Sequence, residues 1–386
     1  MLRTLGMRAP IVVAAGCLAC GPSLEQSCVE VEEVARIEED LGWICAATVA
    51  PDGTIVMAAG GMRPALIEVE AGGASWVRRE LPLPEGPWER VLCGDVAVTP
   101  DGERWVTLAL YPSEGSRRVI ARAPLSGEAS VATESDGVYG TLPPGQLAVD
   151  GEVLRVAGSI VVEEPSDPPN EPFGYVGEIE RARNIVDHQH FMPGFFEAWG
   201  LVPRVSGRLV AFFREPSIDY SDGYVVSIDP EAVETEWVLH LRNETGESGP
   251  VASIVGIDDE DILVARHDYD RSELTRYDRF GESTWHHAQA WHGWQEQVVA
   301  HDVAVGVDVL TLTSVRARED GTTTTFAELL DPDGASVCRD EVSLPFFDGT
   351  HRRAVLTAPD GRFLVIDEAP GDSPDPGLHI TALGVQ

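Results

Sequence analysis

The chain contains no lysine, since each of its basic residues is an arginine. That absence removes Schiff-base chemistry and the phosphate-holding lysine of a P-loop. Positive charge of any kind is scarce: 28 basic residues stand against 64 acidic ones, and the formal charge is −36 at pH 7. No basic stripe with interleaved aromatics offsets this, so a polyanion would be repelled and nucleic acid is not expected as a partner. Also missing are a Gly-x-Ser-x-Gly elbow, a His-Glu-x-x-His pair and a phosphate-cradling glycine loop. The acidic balance would favour calcium. Yet neither dense acidic segment, Asp258-Asp259-Glu260-Asp261 or His267-Asp268-Tyr269-Asp270, has the glycine-and-glutamate spacing of a calcium loop. Both read as solvated turns between strands, and no cofactor is expected.

What the chain does contain is one short pattern, repeated. An apolar run, Pro-Asp-Gly and a second apolar run occur around Pro51-Asp52-Gly53, Pro100-Asp101-Gly102 and Pro359-Asp360-Gly361. Proline pre-sets φ, aspartate closes a local hydrogen bond and glycine takes the left-handed conformation, so each copy predicts a tight β-hairpin. Weaker copies fill the interval. With Asp52, Asp101, Asp150, Ser206, Asp258, Asp308 and Asp360 as marks, the steps are 49, 49, 56, 52, 50 and 52 residues. A third run ending on an acidic residue follows each hairpin, as in Ile228-Asp229-Pro230 and Leu330-Asp331-Pro332-Asp333-Gly334. A fourth, more polar run then carries Trp76, Trp237 or Trp285 at a similar place. Seven repeats of about 50 residues with four strand-like runs each predict an all-β, seven-bladed β-propeller of four-stranded blades. The seventh repeat supplies three runs and stops, so its fourth strand is expected from 29–37 at the N-terminus. Closing the ring in this way removes an open sheet edge.

Residues 1–16 have Arg3 and Arg8, no acidic residue, and the apolar segment Ile11-Val12-Val13-Ala14-Ala15 ahead of Cys17. This reads as an export signal, too short to span a bilayer. Ala14-Ala15-Gly16-Cys17 resembles the lipobox of bacterial lipoproteins, which implies a lipidated Cys17; Cys17-Leu18-Ala19-Cys20 offers a second register with Cys20 as the anchor. The expected organisation is a signal over 1–16, a tether over 17–28 and the propeller over 29–386, held to the bacterial cell envelope only through the lipid. Removal of the two arginines makes the charge of the mature chain 26 − 64 = −38. Export to an oxidising space makes disulfides the expectation for Cys28, Cys45, Cys93 and Cys338, which allow three pairings. Cys45 and Cys93 lie seven and eight residues before Asp52 and Asp101, at near-equivalent places in neighbouring blades. They are therefore expected to pair, leaving Cys28 for Cys338.

Two of the stretches that link an outer strand to the next inner strand are chemically unusual. One carries His188, His190 and Trp199; the other carries His286, His287, Trp291, His292 and Trp294. A third, shorter stretch has His351. Histidine and tryptophan converging on a channel mouth would suit a metal or a ring-shaped ligand, so these residues form the candidate ligand site, with no catalytic residue assigned. Trp285 matches Trp76 and Trp237 and is expected to pack between blades.

On its three Pro-Asp-Gly hairpins and their flanking strands, the mature chain resembles bacterial secreted or lipid-anchored β-propeller proteins. The resemblance implies an interaction platform that takes another protein or a small ligand at the channel-mouth face, without catalysis. Its alternative is a metal-assisted, lactonase-like hydrolase or lyase that uses the channel.

Overall fold

At Pro51-Asp52-Gly53 the chain reverses by the expected chemistry. The Gly53 amide donates to the Ala50 carbonyl at 2.8 Å, Asp52 Oδ1 accepts the Thr54 amide at 3.0 Å, and Gly53 sits at φ 85°. Pro100-Asp101-Gly102 and Pro359-Asp360-Gly361 repeat the turn, with Gly102 at φ 83° and Gly361 at φ 86°. This is a turn closed by a left-handed residue, the three-residue hairpin loop whose twist suits antiparallel strands. Ser206-Gly207 adopts it too, with Gly207 at φ 81°. In the fifth repeat Asp258 itself takes φ 51°, a conformation that aspartate tolerates.

The computed structural model describes residues 27–39, 41, 43–112, 117–135, 145–161, 172–181, 185–193, 197–214, 223–232, 234–241, 253–258, 260–268, 270–291, 296–344, 353–369 and 377–385. The expected export signal over 1–16, with Cys17 and Cys20, lies outside them. The strands form seven four-stranded antiparallel sheets, arranged as the blades of a seven-bladed β-propeller, and no helix occurs among the described residues. The innermost strands, in blade order, are Ile44–Val49, Arg90–Val98, Gln146–Asp150, Glu197–Pro203, Ser253–Ile257, Glu296–Val305 and Arg353–Thr357. Each touches the next around the ring, and the last touches the first.

The apolar residues form seven clusters, one at each blade-to-blade interface. Strand periodicity explains this arrangement. In Ile55–Ala59, Val56 and Ala58 join the cluster shared with blade 2, while Ile55, Met57 and Ala59 join the one shared with blade 7. A strand buried on both faces needs apolar side chains at every position, which is why these segments read as continuous runs rather than alternating ones.

Closure follows the expected route. Val29–Ile37 pairs antiparallel with Gly377–Val385, from Val29 opposite Val385 to Ile37 opposite Leu378, as the outermost strand of blade 7. Cys28 is bonded to Cys338 of blade 6 with a Cα separation of 6.3 Å, and Cys45 to Cys93 across blades 1 and 2 at 5.6 Å. Beside the first bridge, Asp340 Oδ2 accepts the amides of Cys28 at 2.7 Å and Val29 at 3.0 Å.

The tryptophans of the outer strands are not all equivalent. Trp237 and Trp285 each sit opposite a one-residue register shift, beside Ser227 and Arg276 respectively. Each indole reaches the following blade and donates to a turn carbonyl there, Arg279 O at 2.9 Å and Pro332 O at 3.0 Å. Trp76 pairs with Val69 without a shift and packs instead against the cluster shared with blade 7. One inserted residue turns a side chain to the other face of its strand, and the blade 1 copy lacks that residue.

Candidate functional site

The seven inner strands surround a cavity of about 550 Å³ on the ring axis. Small side chains such as Ala46, Gly94, Gly200 and Ala354 bring backbone to its wall. Two carboxylates, Asp95 and Asp302, and two indoles, Trp43 and Trp199, give the wall its chemistry. The Cys45–Cys93 bridge forms part of the same wall.

A bulge places the first carboxylate. In blade 2 the pairing skips from Cys93 to Val96, so Gly94 and Asp95 stand outside the ladder. Asp95 Oδ1 accepts the Val96 amide at 2.8 Å, and Oδ2 accepts the Leu147 amide of blade 3 at 2.8 Å. The Asp95 amide donates to Thr107 Oγ1 at 2.9 Å, and that hydroxyl donates to Gly145 O at 2.6 Å. Asp95 thus ties two blades together while its surface opens on the channel. Protein around it keeps out bulk water, and this burial raises its carboxyl to about 6 against the pull of the two amides. It is ionised at neutral pH.

Asp302 stands in the inner strand of blade 6. It lies six residues before Asp308, as Asp95 lies six before Asp101, so the two occupy the same repeat position on blades three steps apart one way and four the other. Trp199 is the extra residue of a second bulge, between Ala198 and Gly200. Trp43 precedes the inner strand of blade 1 and points its Nε1 at Cys45 Sγ, 3.0 Å away. Each indole already carries a guanidinium over one face: Arg90 lies 5.5 Å from the Trp43 centroid and Arg214 5.1 Å from that of Trp199.

Of the residues expected to gather at the channel mouth, Trp199 lines the channel. His188 and His190 lie in Ile185–Pro193, the outermost strand of blade 3, opposite Gly177 and Val176. His286 and His287 lie in Ser283–Ala290, the outermost strand of blade 5, at the perimeter of the ring rather than in a connection. His286 Nδ1 is 2.9 Å from Thr275 Oγ1 of its own blade, and His287 Nε2 is 3.3 Å from Glu328 Oε2 of blade 6. Burial would raise Glu328, but hydrogen bonds from His287 and Ser336 and the charge of Arg339 outweigh it and hold the carboxyl below its ordinary value. Trp291 packs between blades 5 and 6, its ring 5.1 Å from that of Phe326 and its Nε1 donating to Ser272 Oγ at 3.3 Å. His292, Trp294 and His351 lie outside the described residues. The strands of blades 3 and 5 run further than the turn-rich reading allowed, and the histidines travel outward with them.

Within the acidic segment, Asp258, Glu260 and Asp261 are engaged by protein groups, and Asp259 lies outside the described residues. Arg276 binds Asp258 at 2.5 Å and Asp261 at 2.8 Å, and Glu260 accepts the amide and hydroxyl of Ser206, each at 2.9 Å. Among the described residues, Cys28, Cys338 and Asp340 form the sole trio with donor atoms close enough to share a metal ion, and its sulfurs are bonded to each other. One histidine not expected to matter, His301, is buried between blades 5 and 6 with Nδ1 2.9 Å from Thr313 Oγ1. Burial first, with the nearby His267 and His287, pushes it down to about 3, so it is held neutral.

No protein-family profile matches the chain, and no curated protein sequence matches it. Solved structures do. The chain is similar to hydrazine synthase of Kuenenia stuttgartiensis at 14% identity and a TM-score of 0.54, over 86% of this chain and 94% of that one. A prolyl endopeptidase structure matches at 14% identity and a TM-score of 0.50, over 90% of this chain and 51% of that one. Regucalcin of Agrobacterium tumefaciens matches at 13% identity and a TM-score of 0.44, over 92% and 94%. At such identities the likeness is one of fold.

Proposed function

We propose that this propeller is a binding module tethered at the bacterial cell envelope, and that its ligand enters the axial channel. The observation that carries the reading is the wall of the cavity: backbone and small side chains leave room for a small ligand, while Asp95, Asp302, Trp43 and Trp199 supply a few polar and aromatic contacts. Concave cavities lined by small and aromatic side chains with a few placed polar groups are where small ligands bind. The tether is the lipid on Cys17 or Cys20 that the N-terminal residues suggest. Intact mass of protein extracted from membranes should show loss of the signal and added acyl chains; an unmodified mature chain in the soluble fraction would refute the tether.

The two carboxylates also favour a second reading, a metal-assisted hydrolase or lyase acting in the channel. Elemental analysis of the purified protein, followed by a hydrolysis screen against lactones and esters with and without chelator, separates the two. A binding module shows no chelator-sensitive turnover. A stoichiometric metal, with turnover lost on its removal and on Asp302→Asn, would replace the first reading by the second.

A further inference from the structure

We propose that the axial channel selects organic cations: amines or quaternary ammonium compounds carrying an apolar body. The inference rests on the channel being the binding site and names the class of ligand that it takes. Among the described residues lining the cavity, the titratable side chains are Asp95 and Asp302, both acidic. An anion placed there would meet two carboxylates, and the described lining residues include no guanidinium or imidazole. A neutral ligand would leave their field unused.

Their placement favours a cation further. Asp95 and Asp302 share one repeat position on blades nearly opposite across the axis, so a cation at that height is attracted from two sides. Coulomb attraction strengthens as water is excluded, and the channel wall around Asp95 excludes enough to raise its carboxyl. The two amides that hold Asp95 fix it in place before any ligand arrives, which lowers the ordering cost of binding.

The indoles supply the remaining chemistry. A π face attracts a cation within about 6 Å of its centroid. The protein's own Arg90 and Arg214 demonstrate this on Trp43 and Trp199, each of which also borders the cavity. At about 550 Å³ the cavity has room for a ring-bearing amine but not for a folded domain. A net charge of −36 steers cations toward the molecule and slows the approach of anions.

The test compares three probes of one size on the mature wild-type chain: phenethylammonium, neutral 2-phenylethanol and anionic 3-phenylpropionate, each titrated calorimetrically and by indole fluorescence. The cation should bind at least tenfold tighter than the other two, weaken as salt is raised, and lose at least fivefold in affinity on Asp302→Asn in a protein whose melting temperature is unchanged. Trp199→Leu gives a second, charge-neutral check, with the same loss expected for the cation. Equal binding of cation and neutral probe would overturn the charge preference and leave the channel as a binding site. Failure of all three to bind would overturn both readings. Cation binding indifferent to both substitutions would place it elsewhere and overturn the inference.

Discussion

Cys338 occupies in blade 6 the place that Trp285 occupies in blade 5. Each follows by seven residues the aspartate that opens its turn, Asp331 and Asp278, and each sits opposite a one-residue register shift. Both side chains reach onto the next blade. Trp285 donates to Pro332 O in the turn between the third and fourth strands of blade 6. Blade 7 has no such turn, because its third and fourth strands come from opposite ends of the chain, with Val385 paired to Val29. There the repeat substitutes a covalent bond, Cys338 to Cys28.

This relationship predicts unequal worth for the two disulfides. On the chain-entropy account, the sequence separation of 310 between Cys28 and Cys338 makes that bridge worth roughly 5–6 kcal/mol, against about 4 kcal/mol for the separation of 48 between Cys45 and Cys93. Denaturant unfolding of Cys28→Ser/Cys338→Ser and of Cys45→Ala/Cys93→Ala should show the larger loss for the first. A larger loss for the second would place the weak seam of the ring elsewhere.

The tryptophan wedge predicts different costs at two glycines with matching backbone. Gly334 and Gly361 sit at φ 82° and 86°, so an added methyl strains each by about 1–2 kcal/mol. At Gly361 that methyl would meet nothing within 4 Å; at Gly334 it would lie 2.6 Å from Trp285. Gly334→Ala should therefore cost at least about 1 kcal/mol more than Gly361→Ala. Indistinguishable unfolding midpoints would show that Trp285 does not press on the turn.

His301 predicts an acid-sensitive interface between blades 5 and 6. Its folded value of about 3 lies below the ordinary 6.5, so below pH 6.5 the unfolded chain binds the proton that the folded chain refuses. Stability is then lost as pH falls from 6.5 toward 3, by up to about 1.4 kcal/mol per unit. Between pH 6.5 and 4.5 the wild type should lose about 2–3 kcal/mol more than His301→Gln. Parallel curves for the two proteins would refute the assignment.

Asp95 acts with the opposite sign. Its folded value of about 6 exceeds the ordinary 3.8, so its contribution is complete below pH 3.8 and declines as pH rises to 6. Relative to Asp95→Asn, the wild type should weaken by about 2–3 kcal/mol across that interval. The comparison needs denaturation curves at pH 4 and pH 7, and a difference constant with pH would show that the carboxyl is not buried in effect.

Blade number, hairpin positions, ring closure and both disulfides were readable from residues because they depend on local chemistry repeated at a fixed interval. Pro-Asp-Gly makes its turn wherever it stands, and two-sided apolar runs need neighbours on both faces. The histidine set fared differently. Residues 286–290 carry alternate polar side chains as readily as a connection does, and only pairing with Arg271–Tyr277 made them a perimeter strand.

The channel wall shows the same division. At the repeat position of Asp95 and Asp302 the other five copies carry Ala46, Pro144, Gly200, Ala252 and Ala354, so two acidic exceptions stood in the sequence as a signal. Their repeat position made them visible there; what they face did not. Sequence determined the blades, because a turn and a two-residue period are set by near neighbours in the chain. Tertiary structure decided the site: single-residue bulges at Asp95 and Trp199, together with ring closure, brought side chains from distant blades to one axis, and no local interaction encodes that meeting.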